Sequence, residues 1–328
     1  MVDLKNNSER KKVQFIDLFC GIGGFRIAAE NVFFKAGLKP QCTFSSDIDE
    51  FARKTYLANF GEAPIGDIKK INPLLIPDHD ILFAGFPCQP FSIIGRGKGF
   101  KDTRGALFFD IAKILEAKKP SAFLLENVKQ LKGHNHGKTL ARILEVSGSL
   151  GYKVDYKVLN ALDFGLPQKR ERVFIVGFLE STLFDWPKGR KKKIPLSEIL
   201  EKKPDSKYFV SQSIRQKRLA LHRASQIPSI WHENKSGMIS SYPYSCALRA
   251  GASHNYLLVD GKRRLTPREM LRLQGFPDSF KIVCSNTQMK KQVGNSVPVN
   301  IVEDLLEKMV PNLGKAIGGI GNCATMVF

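Results

Sequence analysis

Cysteine is scarce in this chain of 328 residues, and none of its cysteines is spaced for a metal. The six cysteines form no Cys-x-x-Cys pair and no Cys/His spacing typical of zinc ligands. A structural zinc domain is therefore excluded, and we expect no metal site. The same pattern is typical of reduced thiols in a cytosolic protein.

Long apolar runs are missing as well. No stretch approaches the ~18 to 20 uninterrupted apolar residues of a membrane span. Residues 1–12 are polar and charged, without the apolar core of a signal peptide. We therefore expect no membrane anchor and a cytoplasmic protein.

Acidic residues are outnumbered. There are 51 Lys and Arg residues against 31 Asp and Glu, which gives a net charge of +20 and a pI near 9.7. Such an excess indicates a polyanionic partner, with nucleic acid first and an acidic membrane surface second. Hydrophobic residues make up 43% of the chain, enough for a real core, and the length suggests about two domains.

Strand-like and helix-like segments alternate along the first half of the chain. The apolar pattern predicts strands at residues 13–19, 42–46, 80–84, 121–125, 152–160 and 173–178. It predicts helices at 25–36, 50–60, 106–118 and 138–150. Repeated alternation is typical of α/β folds, so we predict a doubly wound, mostly parallel sheet. The glycine-rich tail after Pro311 is expected to be weakly ordered.

The pattern changes after Pro187. Between Lys188 and Arg223 there are 12 Lys and Arg residues against 3 Asp and Glu, and the alternation is lost. Such an asymmetry favours a surface that faces phosphates. We therefore predict a catalytic domain at 1–187 plus 290–328, and a smaller, irregular β-rich domain with a hinge at 188–289. Its aromatic residues suit base reading and irregular β packing equally well.

One cysteine, Cys88, follows a strand and lies between two prolines in the run GFPCQPFS. Open α/β sheets bind ligands at the carboxyl ends of their strands, which is where a reactive thiol belongs. A free cysteine is more often a small buried apolar residue, so Cys88 alone decides nothing. Glu126 follows the strand at 121–125 and adds a second chemical group at the same edge, although most acids in such positions are surface residues.

A glycine-rich turn joins the first strand to the first helix. Residues 20–24 (CGIGG) either bring bare backbone to a ligand at a helix amino terminus or form a tight structural turn. The spacing is not GxGxxG, which argues against a standard dinucleotide site. Asp47 ends the next strand, where an acid would hold a ribose diol. Asp67 lies in a loop, where a solvated acid is the ordinary interpretation.

Six short motifs follow one another along the chain: FxDLFCGxGG, GFPCQPFS, ENV, QKRER, RxLTPRE and QVGNSVP. Over residues 1–178 and 262–310 this series resembles that of the cytosine-5 DNA methyltransferases, in particular the compact bacterial enzymes of restriction–modification systems. The region between them corresponds to the family's variable target-recognition region. The resemblance implies a Rossmann-like catalytic domain that transfers a methyl group from S-adenosylmethionine to carbon 5 of cytosine in double-stranded DNA, leaving S-adenosylhomocysteine.

The resemblance also implies catalytic roles for residues that match the motifs. Cys88 matches the nucleophile of the PCQ motif, in which Gln89 follows it. Glu126 matches the glutamate that engages the ring nitrogen and exocyclic amine of the target cytosine. Arg172, the last residue of QKRER, matches the arginine that contacts the base carbonyl and a nearby phosphate, with Arg170 as its helper.

Further matches predict the site of S-adenosylmethionine. The implied residues form the glycine loop, the ribose and adenine contacts and the segments that return to them: Phe19, Gly21, Gly23, Asp47, Ile48, Asp67, Ile68, Gly85, Pro87, Leu107, Asn295 and Ser296. Ile48 departs from the family, which often has a tryptophan stacked on adenine there, so we expect weaker cofactor affinity rather than loss. Ala247 and Leu248 stand where recognition regions commonly have Thr-Leu, which leaves the register of the base-reading residues open.

Partners follow from the same resemblance. Methyltransferases flip the target base out of the duplex, and residues 93–104 are expected to close over it as a lid. We expect a monomer and, from the family alone, a restriction endonuclease that acts on the same site. The alternatives are a transfer-RNA cytosine-5 methyltransferase, whose Cys-Phe-Thr signature is absent here, and a catalytically inactive DNA-binding homologue. A Rossmann oxidoreductase is disfavoured by the glycine spacing, and a Cys-His hydrolase by the lack of a partner motif for any histidine.

Overall fold

The computed structural model describes residues 10–87, 107–180, 184–234, 236–253 and 255–316. Cys88, Gln89 and the loop at 93–104 lie outside the described residues.

The described part of the chain contains eleven strands. They are β1 (Lys12–Leu18), β2 (Lys39–Ser46), β3 (Ile81–Gly85), β4 (Ala122–Val128), β5 (Lys153–Asn160), β6 (Gln168–Lys169), β7 (Glu171–Phe178), β8 (Ile230–Glu233), β9 (Ile239–Tyr242), β10 (Ser245–Cys246) and β11 (Leu257–Val259). Six of them form the main sheet, in the order β2-β1-β3-β4-β7-β5. Strands β1 to β4 run parallel, whereas β7 is antiparallel to both of its neighbours. The prediction of a mostly parallel sheet is confirmed.

Nine α-helices lie within the same described ranges. They are α1 (Gly24–Lys35), α2 (Glu50–Phe60), α3 (Leu107–Lys118), α4 (Lys138–Ser149), α5 (Leu196–Ile199), α6 (Gln212–Leu221), α7 (Pro267–Leu273), α8 (Asn286–Asn295) and α9 (Val299–Ala316). Helices α1 and α9 cover one face of the main sheet, and α3 and α4 cover the other. The doubly wound arrangement is therefore confirmed.

Both faces of the main sheet are covered, and its central strand β3 has no polar side chain. In β3, Ile81 and Phe83 join the apolar cluster under α1 and α9, while Leu82 and Ala84 join the cluster under α3 and α4. A continuous apolar run is what a strand buried on both faces requires. Residues 19, 47 and 86 follow β1, β2 and β3, so their side chains gather at one edge of the sheet.

Two elements extend further than the sequence predicts. Strand β4 continues to Val128, because its last residues pair with the start of β7, Val128 opposite Arg172. Glu126 therefore lies inside the strand. Helix α9 continues through Pro311 to Ala316, and Leu313 is buried in the core. The expectation of weak order directly after Pro311 is wrong for residues 312–316, since burial of Leu313 offsets the backbone hydrogen bond that proline cannot make.

The smaller part of the chain is irregular and β-rich, as predicted. Strands β11, β8 and β9 form an antiparallel sheet, and β10 pairs with β6. Leu248 and Leu257 belong to the same apolar cluster as α9, so the core continues into this part. The domain boundaries stay a prediction. No helix in the described ranges is both long and apolar enough to cross a membrane.

Asp17 lies at the carboxyl end of β1 and is fully buried. Neither of its carboxylate oxygens has a hydrogen-bond partner within the described part of the chain. Burial raises the pKa of Asp17 well above its ordinary value; the nearby charge of Arg26 opposes this and that of Asp47 adds to it. The folded state therefore binds this proton more tightly than the unfolded state, and its contribution to stability is lost as pH rises through the raised pKa.

We predict that Asp17→Asn increases the free energy of unfolding at neutral and alkaline pH. Asparagine cannot ionise, so the gain over the original protein should grow by up to about 1.4 kcal/mol per pH unit above the ordinary pKa of an aspartate, until the raised pKa is passed. Urea unfolding of both proteins between pH 4 and pH 9 measures this gain. The control is Asp78→Asn, at a carboxylate that is 91% exposed. A difference that does not change with pH would contradict the prediction.

Candidate active site

A cavity of about 500 Å³ opens at the carboxyl edge of the main sheet. Its size is within the range of about 300–1,000 Å³ that is usual for small-molecule sites. The cavity brings together most of the residues that the sequence assigns to the site: Phe19, Gly21, Asp47, Ile48, Asp67, Ile68, Gly85, Pro87, Leu107, Glu126, Arg170, Arg172 and Asn295.

Two assigned residues do not line the cavity. Gly23 begins α1 in the left-handed conformation, at φ 84°, and a Cβ placed on it would lie 2.3 Å from the ring of Phe60. Its need for glycine thus comes from packing against α2. Ser296 is buried, and its carbonyl accepts a hydrogen bond from Arg170. Cys88 and Gln89 lie outside the described residues, and Pro87 lines the cavity directly before them.

The glycine turn is held in place by Asp47. The backbone N–H of Gly21 donates to Asp47 Oδ2 at 2.8 Å, and the N–H of Asp49 donates to Oδ1 at 2.8 Å. Phe19 and Gly21 both have positive φ, 53° and 54°, which is uncommon for a residue with a side chain and typical of functional turns. Each carboxylate oxygen keeps a second lone pair, so Asp47 can hold the turn and still accept a ligand hydroxyl.

Burial raises the pKa of Asp47, and the N–H groups of Asp49 and Gly21 oppose this shift. The same two donors favour the charged carboxylate that a ribose diol would donate to. The pKa of Asp47 is therefore set by burial, which raises it, and by the two N–H donors, which lower it by less.

The other end of the cavity is lined by Ile48 and by the turn at Asp67. Ile48 is 75% exposed although it is a large apolar residue. Asp67 caps a short helical turn by accepting a hydrogen bond from the N–H of Lys69 at 3.0 Å, and Ile68 is buried next to it. An exposed aliphatic side chain beside a capped turn provides an apolar surface for a flat ring.

Glu126 and Arg172 form a buried ion pair on adjacent strands. Arg172 Nε lies 2.9 Å from Glu126 Oε1, and the two side chains are 14% and 9% exposed. By geometric criteria Oε1 has no hydrogen-bond donor among the described residues, so the attraction to Arg172 is chiefly electrostatic. Burial raises the pKa of Glu126 above its ordinary value, while the charges of Arg172 and Arg170 oppose this. A carboxyl group with a raised pKa keeps its proton to higher pH and can therefore act as a general acid.

Arg170 is directed differently from Arg172. It is 1% exposed, and its guanidinium donates to the carbonyls of Leu248, Gly294 and Ser296. Burial and the charge of Arg172 lower the pKa of Arg170 to about 9, against the attraction of Glu126, so it remains protonated at neutral pH.

Asn127 and Gln292 are among the cavity residues that the sequence did not assign. Asn127 Nδ2 donates to the carbonyl of Phe86 at 2.9 Å and so fixes the end of β3 directly before Pro87. Gln292 Oε1 accepts from the hydroxyl of Thr55 at 2.9 Å. Asn127 belongs to the ENV motif and Gln292 to the QVGNSVP motif, so membership in these motifs could have indicated that both residues lie at the site. Across the described ranges, no group of three or more His, Cys, Asp or Glu side chains could hold a metal ion.

Comparison with known proteins gives the same family throughout. The model of the C-5 cytosine-specific DNA methylases matches residues 13–311. The chain is 58% identical to the Type II methyltransferase M.NgoBI of Neisseria gonorrhoeae over 88% of this chain and 90% of that protein. It is 53% identical to the Type II methyltransferase M.HaeII of Haemophilus aegyptius over 93% and 95% of the two chains.

A solved structure shares the fold at much lower identity. The Entamoeba histolytica methyltransferase EhMeth superposes with a TM-score of 0.70 at 20% identity, covering 93% of this chain and 99% of that one. The predicted fold class and family are thus confirmed, and the cavity lies where an open α/β sheet binds its ligands. The chain belongs to the C-5 cytosine-specific DNA methylase family and is a DNA cytosine-5 methyltransferase.

Proposed function

We propose that this enzyme methylates a cytosine flipped out of a short, specific sequence of double-stranded DNA, with S-adenosylmethionine as the methyl donor and Cys88 as the nucleophile. The observation that carries the proposal is the buried Glu126–Arg172 pair, which lines the same cavity as the Asp47-held glycine turn. The groups proposed to act on the base and those proposed to bind the cofactor thus line the same cavity.

Cys88 supplies covalent catalysis. Carbon 5 of cytosine is a poor nucleophile within an aromatic ring, and addition of the thiolate to carbon 6 makes carbon 5 enamine-like. One difficult step is thus divided into easier ones. Once carbon 5 has accepted the methyl group, loss of the carbon-5 proton and elimination of Cys88 from carbon 6 restore the aromatic ring and complete the reaction. No described residue is assigned to removal of that proton.

Glu126 and Arg172 stabilise the base while charge develops on it. Glu126 donates its proton at ring nitrogen 3, and the raised pKa keeps that proton available to higher pH than an exposed glutamate would. Arg172 supplies fixed positive charge beside the base carbonyl, in a buried site where preorganised charge is most effective. Before it takes up that proton, Glu126 in its carboxylate form compensates the charge of Arg172 in the ion pair.

The donor set of the cavity fits S-adenosylmethionine. When bound, this cofactor supplies a methyl group on a sulfonium. Asp47 would accept from its ribose hydroxyls, Ile48 and Ile68 would cover its adenine, and Phe19, Gly21 and Asn295 would complete the walls. The backbone of the glycine turn gives close approach without a side chain at Gly21, where a Cβ would have open space.

Residues 188–289 serve as the target-recognition domain and hinge, and the basic stretch 188–223 grips phosphates. Ten of its 12 basic residues are exposed: Lys188, Lys191, Lys192, Lys193, Lys202, Lys203, Lys207, Arg215, Lys217 and Arg223. The other two are used internally, Arg190 by Asp304 and Glu303, and Arg218 by Glu233. The proposed enzyme is a monomer that works beside a restriction endonuclease, and the Type II names of the relatives support the second part of this proposal.

The first prediction for the function concerns Cys88 and the substrate. The purified protein should transfer tritium from methyl-labelled S-adenosylmethionine to duplex DNA, and Cys88→Ala should abolish this transfer because the variant lacks the proposed nucleophile. Cofactor binding by Cys88→Ala should be retained in calorimetry. Transfer to transfer RNA in place of duplex DNA would contradict the proposal and favour the RNA enzyme.

A trapping measurement separates the nucleophile from an indirect effect on folding. Duplex DNA that carries 5-fluorocytosine at the target should form an adduct with the unaltered protein that survives denaturation, since fluorine cannot leave as the proton does. Cys88→Ala should form none, and the position of the adduct is read by peptide mass spectrometry. An adduct at any other cysteine would overturn the assignment.

The second prediction concerns pH. The single-turnover rate should rise as the thiol of Cys88 ionises and fall at higher pH as Glu126 loses its proton. Glu126→Gln should reduce the rate by about 10²- to 10⁴-fold, the usual contribution of general acid catalysis, and should keep only the rising limb. Gln292→Glu, at another cavity residue, is the control for an altered local charge. An alkaline decline that persists in Glu126→Gln would exclude Glu126 as the acid.

The third prediction concerns the adenine wall. Ile48→Trp should bind S-adenosylmethionine about fivefold more tightly, which corresponds to the low end of the roughly 1–3 kcal/mol that stacking on an aromatic side chain contributes per base. Isothermal titration calorimetry gives the affinity. Leu75→Trp is the matched control, because Leu75 is 79% exposed and does not line the cavity. Equal affinities for both variants would remove Ile48 from the adenine site.

A further inference from the structure

Four segments of the chain meet at a buried polar contact, which we call the Leu248 junction and define by Gln168, Arg170, Leu248 and Gly294. Gln168 and Arg170 come from the QKRER motif, Leu248 follows β10, and Gly294 lies in α8 of the QVGNSVP motif. Gln168, Arg170 and Leu248 are at most 3% exposed. The fourth segment is the end of α7, where the carbonyl of Leu273 accepts from Gln168 Nε2 at 2.8 Å.

The backbone of Leu248 is held on both sides. Its N–H donates to Gln168 Oε1 at 3.1 Å, and its carbonyl accepts from Arg170 Nη1 at 3.1 Å. Directly before it, β10 pairs with β6, Ser245 opposite Gln168. The segment 245–248 is therefore attached to the catalytic motif through main-chain atoms.

Arg170 joins this segment to the far side of the cavity. Its Nη2 donates to the carbonyls of Gly294 and Ser296 at 3.1 and 2.6 Å. Three of the five N–H donors of its guanidinium are thus committed to backbone carbonyls on two other segments. Arg172, two residues on, instead turns its Nε to Glu126.

Gly294 allows the recognition side to approach α8 closely. A Cβ placed on Gly294 would lie 2.5 Å from the backbone nitrogen of Ala250 and 2.9 Å from the carbonyl carbon of Arg249. These atoms are backbone and cannot swing away like a side chain. Any larger residue at 294 must displace residues 249–250 or the end of α8, next to Asn295 in the cavity.

We propose that Arg170 and Gly294 are positioning residues that set the register of segment 245–250 against the reactive cavity, and so determine sequence fidelity. The inference rests on the proposed function of 188–289 as the recognition domain. Base readout depends on hydrogen bonds that weaken steeply with displacement. Lysine cannot replace Arg170, because a single ammonium lacks the planar fork that reaches three carbonyls on two sides.

The test compares four variants on genomic DNA with bisulfite sequencing. Limiting enzyme is applied, and methylation is counted at the preferred sequence and at sequences that differ from it by one base pair. Arg170→Lys and Gly294→Ala should lower this discrimination ratio by about tenfold, equivalent to roughly 1.4 kcal/mol. Arg172→Lys should lower the rate at all sequences alike and leave the ratio unchanged. Gly148→Ala is the glycine control, since a Cβ there meets nothing within 4 Å.

Each outcome is decisive. A fall in rate with an unchanged ratio in both Arg170→Lys and Gly294→Ala would overturn the inference and leave both residues with a structural role only. Circular dichroism shows whether each variant folds. If Arg170→Lys does not fold, the discrimination ratio of Gly294→Ala alone tests the inference. If the unaltered protein methylates no DNA sequence preferentially, the proposed function itself has failed, and that result is visible before any variant is compared.

Discussion

The antiparallel pairing of β7 with β4 is the constraint from which the active site follows. A parallel strand in that position would carry residue 172 to the opposite end of the sheet, some 20 Å away for a strand of this length. Because β7 enters from the carboxyl edge, Val128 faces Arg172 in the register, and the guanidinium reaches Glu126 across the strand pair. The antiparallel direction of β7 thus brings an acidic and a basic side chain, 46 residues apart in the sequence, into contact.

The same edge collects buried acids whose protons are held more tightly than usual. Burial raises the pKa of Asp17, Asp47 and Glu126, and in each case positive charge or N–H donors oppose it. Perturbed acids of this kind cluster at functional sites. Asp17 differs from the other two because neither of its oxygens has a partner among the described residues. The glycine turn and the base pocket therefore lie beside buried carboxyl groups whose ionisation is unfavourable.

Local sequence predicted the sheet, its helices, the glycine turn and the acid at the end of β2, because apolar periodicity and turn chemistry are local properties. It could not predict that Gly23 faces Phe60 or that Asn127 fixes the end of β3, since both depend on partners at least 37 residues distant. The direction of β7 was also beyond local pattern, because a buried strand looks the same in either orientation. The assignments of Cys88 and Gln89 rest on motif resemblance alone, since these residues lie outside the described ranges.

Attachment of Leu248 through its own N–H and carbonyl has a consequence for divergence within such enzymes. These main-chain hydrogen bonds of Leu248 do not depend on which side chains the segment carries. Residue 247 makes neither of them, so alanine is tolerated at this position, where Thr is common. The side chains at 247 and 249 are then able to change without loosening the junction, whereas that of Leu248 packs in the core. Given the proposed role of 188–289 in recognition, such an enzyme can acquire a new target sequence by exchanging exposed residues of this segment, while the catalytic part stays as it is.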